Sequence, residues 1–255
     1  MIHPTAVVHP NAHVDRGVEI GPYCLVGENV KIGRGTVLQA HVVVNGWTVL
    51  GEDCQVFPFA TIGATSQDKK YTGERAFTKI GNRSVIREYV SIQRATGEDQ
   101  TTEIGEDCLL LAYAHVAHNV VIGNGVIMSN LAQLAGHCIV HDNAVIGAMA
   151  GVHQFTRVGR YAMVGGYSKV TRDVPPFLLV EGIPAAPYGP NSVGLRRAGF
   201  SGDERNEIKR FYKLLHSPKY NVSQAVEAMK EEVTTDPGRE MVAFLEAESQ
   251  RGVLK

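Results

Sequence analysis

Ten histidines stand in this 255-residue chain, and three of them, His118, His137 and His153, recur at intervals of nineteen and sixteen residues. A coil that turned once every eighteen residues would bring all three to one edge on successive turns. His115 would lie on the stretch just before that edge. Aligned imidazoles supply a general base together with neutral or charged hydrogen-bond donors for a polar substrate. The same spacing also fits corner histidines that only meet solvent, or a set of metal ligands. Which of these holds depends on whether such a coil exists.

The coil is written in the chain as a repeat of six. Every sixth residue from Ile2 to Val170 is aliphatic at 26 of 29 positions, the exceptions being Asp68, Glu74 and Glu98. Glycine often follows the aliphatic residue, as at Gly21, Gly33, Gly81 and Gly123, and four positions after it stands a small or β-branched residue, as at Ala6, Val18, Cys24 and Thr36. A period of six suits neither an α-helix nor a hairpin array. It suits short flat strands joined by tight corners, with one large and one small side chain inward per hexad. Three hexads close a triangular coil, and coils stack at the strand spacing of about 4.8 Å. The sequence therefore predicts a mainly β chain whose residues 1–190 form a parallel β-helix. All four cysteines (Cys24, Cys54, Cys108 and Cys138) occupy the small inward slot and read as buried small hydrophobes rather than redox or metal groups.

Polar stretches near 63–79 and 95–102 break the hexads without changing their frame, so they read as loops leaving the prism, where function often sits. Beyond Asp173 the hexads stop, and five prolines between Pro175 and Pro190 mark an extended connector. Residues 191–255 read as a small helical domain. Ser201 with Glu204 forms a capping box ahead of the stripe Ile208, Phe211, Tyr212 and Leu215; Ser223 opens a second helix and Asp236-Pro237 a third.

Charge is balanced at 25 basic against 26 acidic residues, which argues against a nucleic-acid binder needing a broad positive face. From Phe155 to Tyr220, however, eleven Lys and Arg face five Asp and Glu, a surface suited to an acidic partner or to phosphates. No apolar run approaches the ~20 residues of a membrane span, and the first residues lack a secretory layout, so a soluble, cytoplasmic protein is expected.

The hexads resemble those of the hexapeptide-repeat acyltransferases, and that resemblance implies a left-handed coil. Ala114-His115-Val116-Ala117-His118-Asn119, Leu134-Ala135-Gly136-His137 and Val152-His153-Gln154-Phe155 are similar to motifs of the UDP-N-acetylglucosamine 3-O-acyltransferase family of lipid A biosynthesis. So are Val42-Val43-Val44-Asn45-Gly46, Gln67-Asp68 with Lys70-Tyr71, Met163-Val164-Gly165-Gly166, Asp173-Val174-Pro175-Pro176 and the region from Arg197 to Phe200. The similarity spans essentially the whole chain. It implies transfer of a β-hydroxyacyl group from acyl carrier protein to the 3-hydroxyl of UDP-N-acetylglucosamine. It also implies a homotrimer with the site between neighbours, and the basic segment as the face that docks the acidic carrier protein.

On the family's pattern His118 is the general base and the Gly136 N–H the oxyanion donor. Asp68 and Lys70 match substrate-contacting loop positions, and His115, His137, His153 and Gln154 match positions lining the sugar-nucleotide site. Asn191 and Arg197 match nucleotide and phosphate contacts. Gly166 matches the position limiting acyl-chain depth, where glycine implies a longer chain. Two positions depart from the pattern: Asn119 stands where many relatives carry an aspartate that orients the base, and Val193 where relatives can have an acidic contact. A thioester is already activated, so no cofactor is expected. No metal is expected either: zinc-binding β-helix enzymes such as the γ-class carbonic anhydrases place two ligands five residues apart, whereas His137 and His141 are four apart. A 3-amino sugar acceptor, as in the related N-acyltransferase of the same pathway, needs nearly the same base chemistry. Those enzymes usually carry an extra N-terminal domain, and here the hexads begin at Ile2. A non-catalytic β-helix scaffold is the third possibility and would show no saturable binding of the UDP-sugar.

Overall fold

The computed structural model describes residues 1–255. Strands mostly two residues long alternate with four-residue corners, and each strand pairs in parallel with the one a coil later. Three sheets result, of nine, eight and ten strands, parallel except for the last strand of the third, and they form the three faces of a left-handed parallel β-helix. The first face runs from Val7–Val8 to Lys169–Val170, the second from His13–Val14 to Arg157–Val158, and the third begins at Glu19–Ile20. The aliphatic column and the small column both point inward, and 42 buried residues make one continuous core along the prism. Cys24, Cys54, Cys108 and Cys138 are buried in the prism as free thiols, and desolvation pushes the Cys138 thiol up to about 12.

The glycine after the aliphatic residue is there for close stacking. A Cβ on Gly33 or Gly81 would stand 2.6 Å from the carbonyl carbon of Gly51 or Gly105 on the next coil. The left-handed backbone falls two residues later and is mostly taken by other residues. At the corner between the third and first faces these are Tyr23, His41, Phe59, Tyr89 and Tyr113, whose rings stack at 4.7–5.1 Å. The few aromatic residues of the prism therefore ride outside it, and the core is aliphatic.

Both loop excursions preserve the frame because they add whole hexads. Phe77–Ile80 lies beside Trp47–Leu50, thirty residues earlier, and Thr101–Ile104 lies beside Phe77–Ile80, twenty-four residues earlier. Against the expected eighteen, the insertions are twelve and six residues.

The connector differs from the sequence expectation. Leu178–Glu181 continues the third face in parallel beside Met163–Val164, and Ala186–Pro190 returns antiparallel against it. Two of its prolines, Pro187 and Pro190, fall on this edge strand, where a missing N–H does no harm, and the hairpin ends the sheet.

Four helices follow: α1 (Ser192–Arg197), α2 (Gly202–Leu215), α3 (Val222–Glu232) and α4 (Asp236–Glu246). The Ser201–Glu204 capping box is present at α2. α3 begins at the Asn221–Gln224 box rather than at Ser223, because the Asn221 side chain accepts from Gln224 N–H while Gln224 reaches back. The helices bury their own cluster around Phe177, Phe211 and Met241. The Arg160–Glu240 ion pair at 2.6 Å, and Arg157, which donates to the Phe244 and Ala247 carbonyls at 3.4 Å, fasten them to the prism. No helix is long and apolar enough to cross a membrane.

Candidate active site

His118 sits on the corner between the first and second faces, between the strands His115–Val116 and Val121–Ile122. Gly136 is the residue directly above it, eighteen later. A Cβ on Gly136 would lie 2.5 Å from His118 Cε1 and 2.6 Å from Nε2, so the imidazole rests against a backbone that only glycine leaves open. His137 donates its N–H to the His118 carbonyl at 3.1 Å and sets its ring edge-on to His118, the centroids 5.2 Å apart. Phe155 stacks on His137 at 4.8 Å. His153 lies on the same corner one coil further and is exposed.

The protonation of His118 follows from its neighbour. Asn119 Oδ1 accepts the Thr96 N–H at 2.9 Å, and its Nδ2 donates to the Thr96 carbonyl at 3.0 Å. Those two bonds fix which end of the amide is oxygen. That oxygen is 2.9 Å from His118 Nδ1, which must therefore carry the proton. The Nε2 lone pair is left free, with Asp68 Oδ2 at 3.9 Å. Asn119 also occupies a left-handed backbone position, φ 58°, which asparagine tolerates.

An aspartate at this position would place a second oxygen against the Thr96 carbonyl, so the amide suits this chain. Asn119→Asp is expected to lower kcat about tenfold through a mis-set base and an unsatisfied carbonyl. Steady-state kinetics of the variant check this, and an unchanged or faster rate would contradict it.

Gly136 offers a second feature. The same hexad position is proline at Pro4, Pro10, Pro22 and Pro58, because its N–H takes no part in the ladder between coils. At Glu52, Glu106 and Asn124 a side chain from the following coil (Asn82, Asn124, Asp142) accepts that N–H. The Gly136 N–H has no acceptor within the chain. A free donor beside a free base is the pair that acyl transfer needs, one for the developing oxyanion and one for the attacking proton.

The first excursion closes over this corner. Gln67 N–H donates to the buried Gln93 side chain at 3.3 Å, and Asp68 N–H donates to Ser66 Oγ at 3.2 Å. Ser66 in turn shares a 2.7 Å hydrogen bond with Thr96. Asp68 and the base are thus tied through Ser66, Thr96 and Asn119. Lys70 is exposed on the same loop.

Burial holds His137 below the usual imidazole range, helped by His118 and Lys70 and opposed by Asp68. Burial alone lowers His115, whose Nδ1 lies 2.6 Å from Ser91 Oγ. In both, burial favours the uncharged imidazole. No group of three or more His, Cys, Asp or Glu side chains is arranged to hold a metal ion.

His115 faces a groove of about 420 Å³ on the first face, lined among others by Leu134, Ala135, Gly151, Val152, His153 and Lys169. Gln154 is exposed beside it, its carbonyl accepting from Arg251 at 2.9 Å. Gly166 lies at the far edge of the first face, where an added Cβ would meet only Ala148 atoms, the nearest at 3.3 Å. Asn191 and Arg197 are not brought to this corner. Asn191 caps α1 through Gly194 N–H and donates to the Tyr161 carbonyl, so it stands at the corner between the second and third faces. Arg197 is exposed in the last turn of α1, with Val193 exposed on the same helix.

Comparison with known proteins finds relatives over the whole chain. The model of the Udp N-acetylglucosamine O-acyltransferase domain 2 family matches residues 173–254, and the bacterial transferase hexapeptide model matches 1–34, 11–46 and 101–136. The chain is 49% identical to the acyl-[acyl-carrier-protein]--UDP-N-acetylglucosamine O-acyltransferase of Thermodesulfovibrio yellowstonii, covering 100% of this chain and 99% of that protein. It is 44% identical to the protein of the same name from Verminephrobacter eiseniae, at the same coverage. The crystal structure of a UDP-N-acetylglucosamine acyltransferase from Bacteroides fragilis superposes with a TM-score of 0.97 at 36% identity over the full length of both chains.

Proposed function

Since the chain belongs to the acyl-[acyl-carrier-protein]--UDP-N-acetylglucosamine O-acyltransferase family, we propose that the His118 corner is where it moves a β-hydroxyacyl chain onto the sugar 3-hydroxyl. The enzyme transfers an acyl group from acyl carrier protein to UDP-N-acetylglucosamine, the first step of lipid A biosynthesis. The observation that carries the mechanism is the amide-fixed tautomer of His118, which leaves Nε2 unprotonated beside the unpaired Gly136 N–H.

A secondary hydroxyl is a weak nucleophile at neutral pH. His118 Nε2 takes its proton as the oxygen attacks the thioester carbonyl. The Gly136 N–H receives the oxyanion of the tetrahedral intermediate. When the intermediate collapses, the carrier's sulfur leaves and takes the proton back from His118. The ester forms as the thioester breaks, and the base ends as it began.

Asp68 and Lys70 on the closing loop, with His115, His137, His153 and Gln154, line the sugar-nucleotide. The acyl chain follows the groove on the first face toward Gly166. Arg197, at a different corner, reaches the nucleotide phosphates only from a neighbouring copy, with Asn191 holding its helix. That placement supports a homotrimer with interfacial sites; a chain that sediments only as monomer would contradict it.

Of the eleven basic residues between Phe155 and Tyr220, Arg157, Arg160 and Arg210 are engaged in ion pairs. Arg196 and Lys209 remain exposed without one. Reversing the charge of either is expected to raise the KM for the carrier protein about threefold or more at low salt, the effect fading as salt rises. A KM that stays constant would remove α1 and α2 from the docking face.

Mass spectrometry of products from mixed hydroxyacyl carriers, offered UDP-N-acetylglucosamine and its 3-amino analogue together, tests the function itself. An ester product is expected. An amide product would move the enzyme to the amino-sugar acceptor, and no product from either would refute the transfer.

A further inference from the structure

Gly136, Gly151 and Gly166 are spaced by fifteen residues, three short of one coil. Each step therefore climbs nearly one coil while moving three residues back across the first face, roughly 10 Å of strand. The track begins at the corner that holds His118 and ends at the corner between the third and first faces. Gly151 lies between them on the strand Gly151–Val152. Three residues before it is Ala148, the neighbour of Gly166. Three residues after it is Gln154, stacked above Gly136, whose carbonyl accepts the Phe155 N–H.

The three glycines do not have the same cause. Gly136 is required by the His118 ring. Gly151 is required by nothing within the chain: its backbone is not left-handed, and beyond its two chain neighbours no atom lies within 4 Å of where its Cβ would be. Glycine is among the weaker residues in a strand, since it offers no side chain to pack. What it provides is space. In register its neighbours are Gln133 on one side and Lys169 on the other. Without a side chain at 151, the gap between those two spans two coil spacings, roughly 9.6 Å, and its floor is the apolar Leu134, Val152 and Val170. That is a passage wide enough for an alkyl chain to cross the face.

We propose that Gly151 is a specificity-determining residue, whose missing side chain opens the middle of the groove so that the acyl chain can pass from Gly136 toward Gly166. This rests on the acyl-transfer reading above. A side chain at 151 would block the crossing midway, so only chains ending short of it would be held in full.

The test compares wild type, Gly151→Ala and Gly151→Val with hydroxyacyl carrier proteins of graded chain length. The readout is the ratio of kcat/KM for the longest accepted donor to that for a short one. In Gly151→Val the ratio is expected to fall about tenfold or more, as for a pocket that loses room for a few methylenes, with a smaller fall in Gly151→Ala. The Tm of the valine variant is expected to hold or rise, because valine favours a strand. An unchanged ratio, whether activity is kept or lost equally for every donor, would overturn the proposal. Wild type that transfers from no carrier of any length would instead refute the acyl-transfer reading itself.

Discussion

Replacing His118 with alanine is expected to reduce acyl transfer by about 10³-fold or more, within the range that loss of a positioned general base removes. The variant should fold normally. His118 is a corner residue outside the aliphatic core, and its backbone carbonyl still accepts from His137. Neither His115 nor His137 is placed to take over. His115 is engaged with Ser91, and the His137 ring is turned edge-on to His118 and stacked on Phe155. The expected signature is therefore a collapse of kcat with an unchanged Tm, and binding of UDP-N-acetylglucosamine that stays measurable. Retained turnover would mean that another group takes the proton.

The second large effect belongs to a residue with no side chain. Gly136→Ala adds one carbon, but that carbon would stand 2.5 Å from the His118 ring, closer than carbons approach. The ring has to move, and its neighbours resist: Asn119 holds Nδ1 from one side while His137 packs against its face. Displacing a base by about 1 Å costs on the order of a hundredfold in rate, and the same substitution crowds the N–H meant for the oxyanion. A kcat loss of about a hundredfold, with little change in sugar-nucleotide affinity, is expected from initial-rate measurements. Activity within tenfold of wild type would show that neither contact matters as described.

The prism was legible in the sequence because a period of six leaves no other regular solution, and the phase of His118, His137 and His153 alone puts them on one corner. Cys24, Cys54, Cys108 and Cys138 likewise fell where their hexad slot put them. The hydrogen bond from Thr96 to Asn119 was not legible. Thr96 lies in an excursion, and the repeat carries no information about how a loop folds back. Ser91 opposite His115 could have been found, since the twenty-four residues between them are one coil plus the six-residue insertion. Gly151 was hidden for the opposite reason: among 27 glycines, only Gly151 and Gly202 combine an ordinary backbone with open space where a Cβ would stand, and that is a property of packing. The strands after Asp173 were missed because the prolines there suggested an open connector, whereas two of them lie on an edge strand.

The most direct measurement is an experimental structure of the enzyme with UDP-N-acetylglucosamine bound. The sugar 3-oxygen is expected within hydrogen-bond reach of His118 Nε2, about 2.6–3.2 Å, with the pyrophosphate near Arg197 of an adjacent copy. A sugar whose 3-oxygen points away from His118, or a nucleotide bound at a different corner of the prism, would contradict the site.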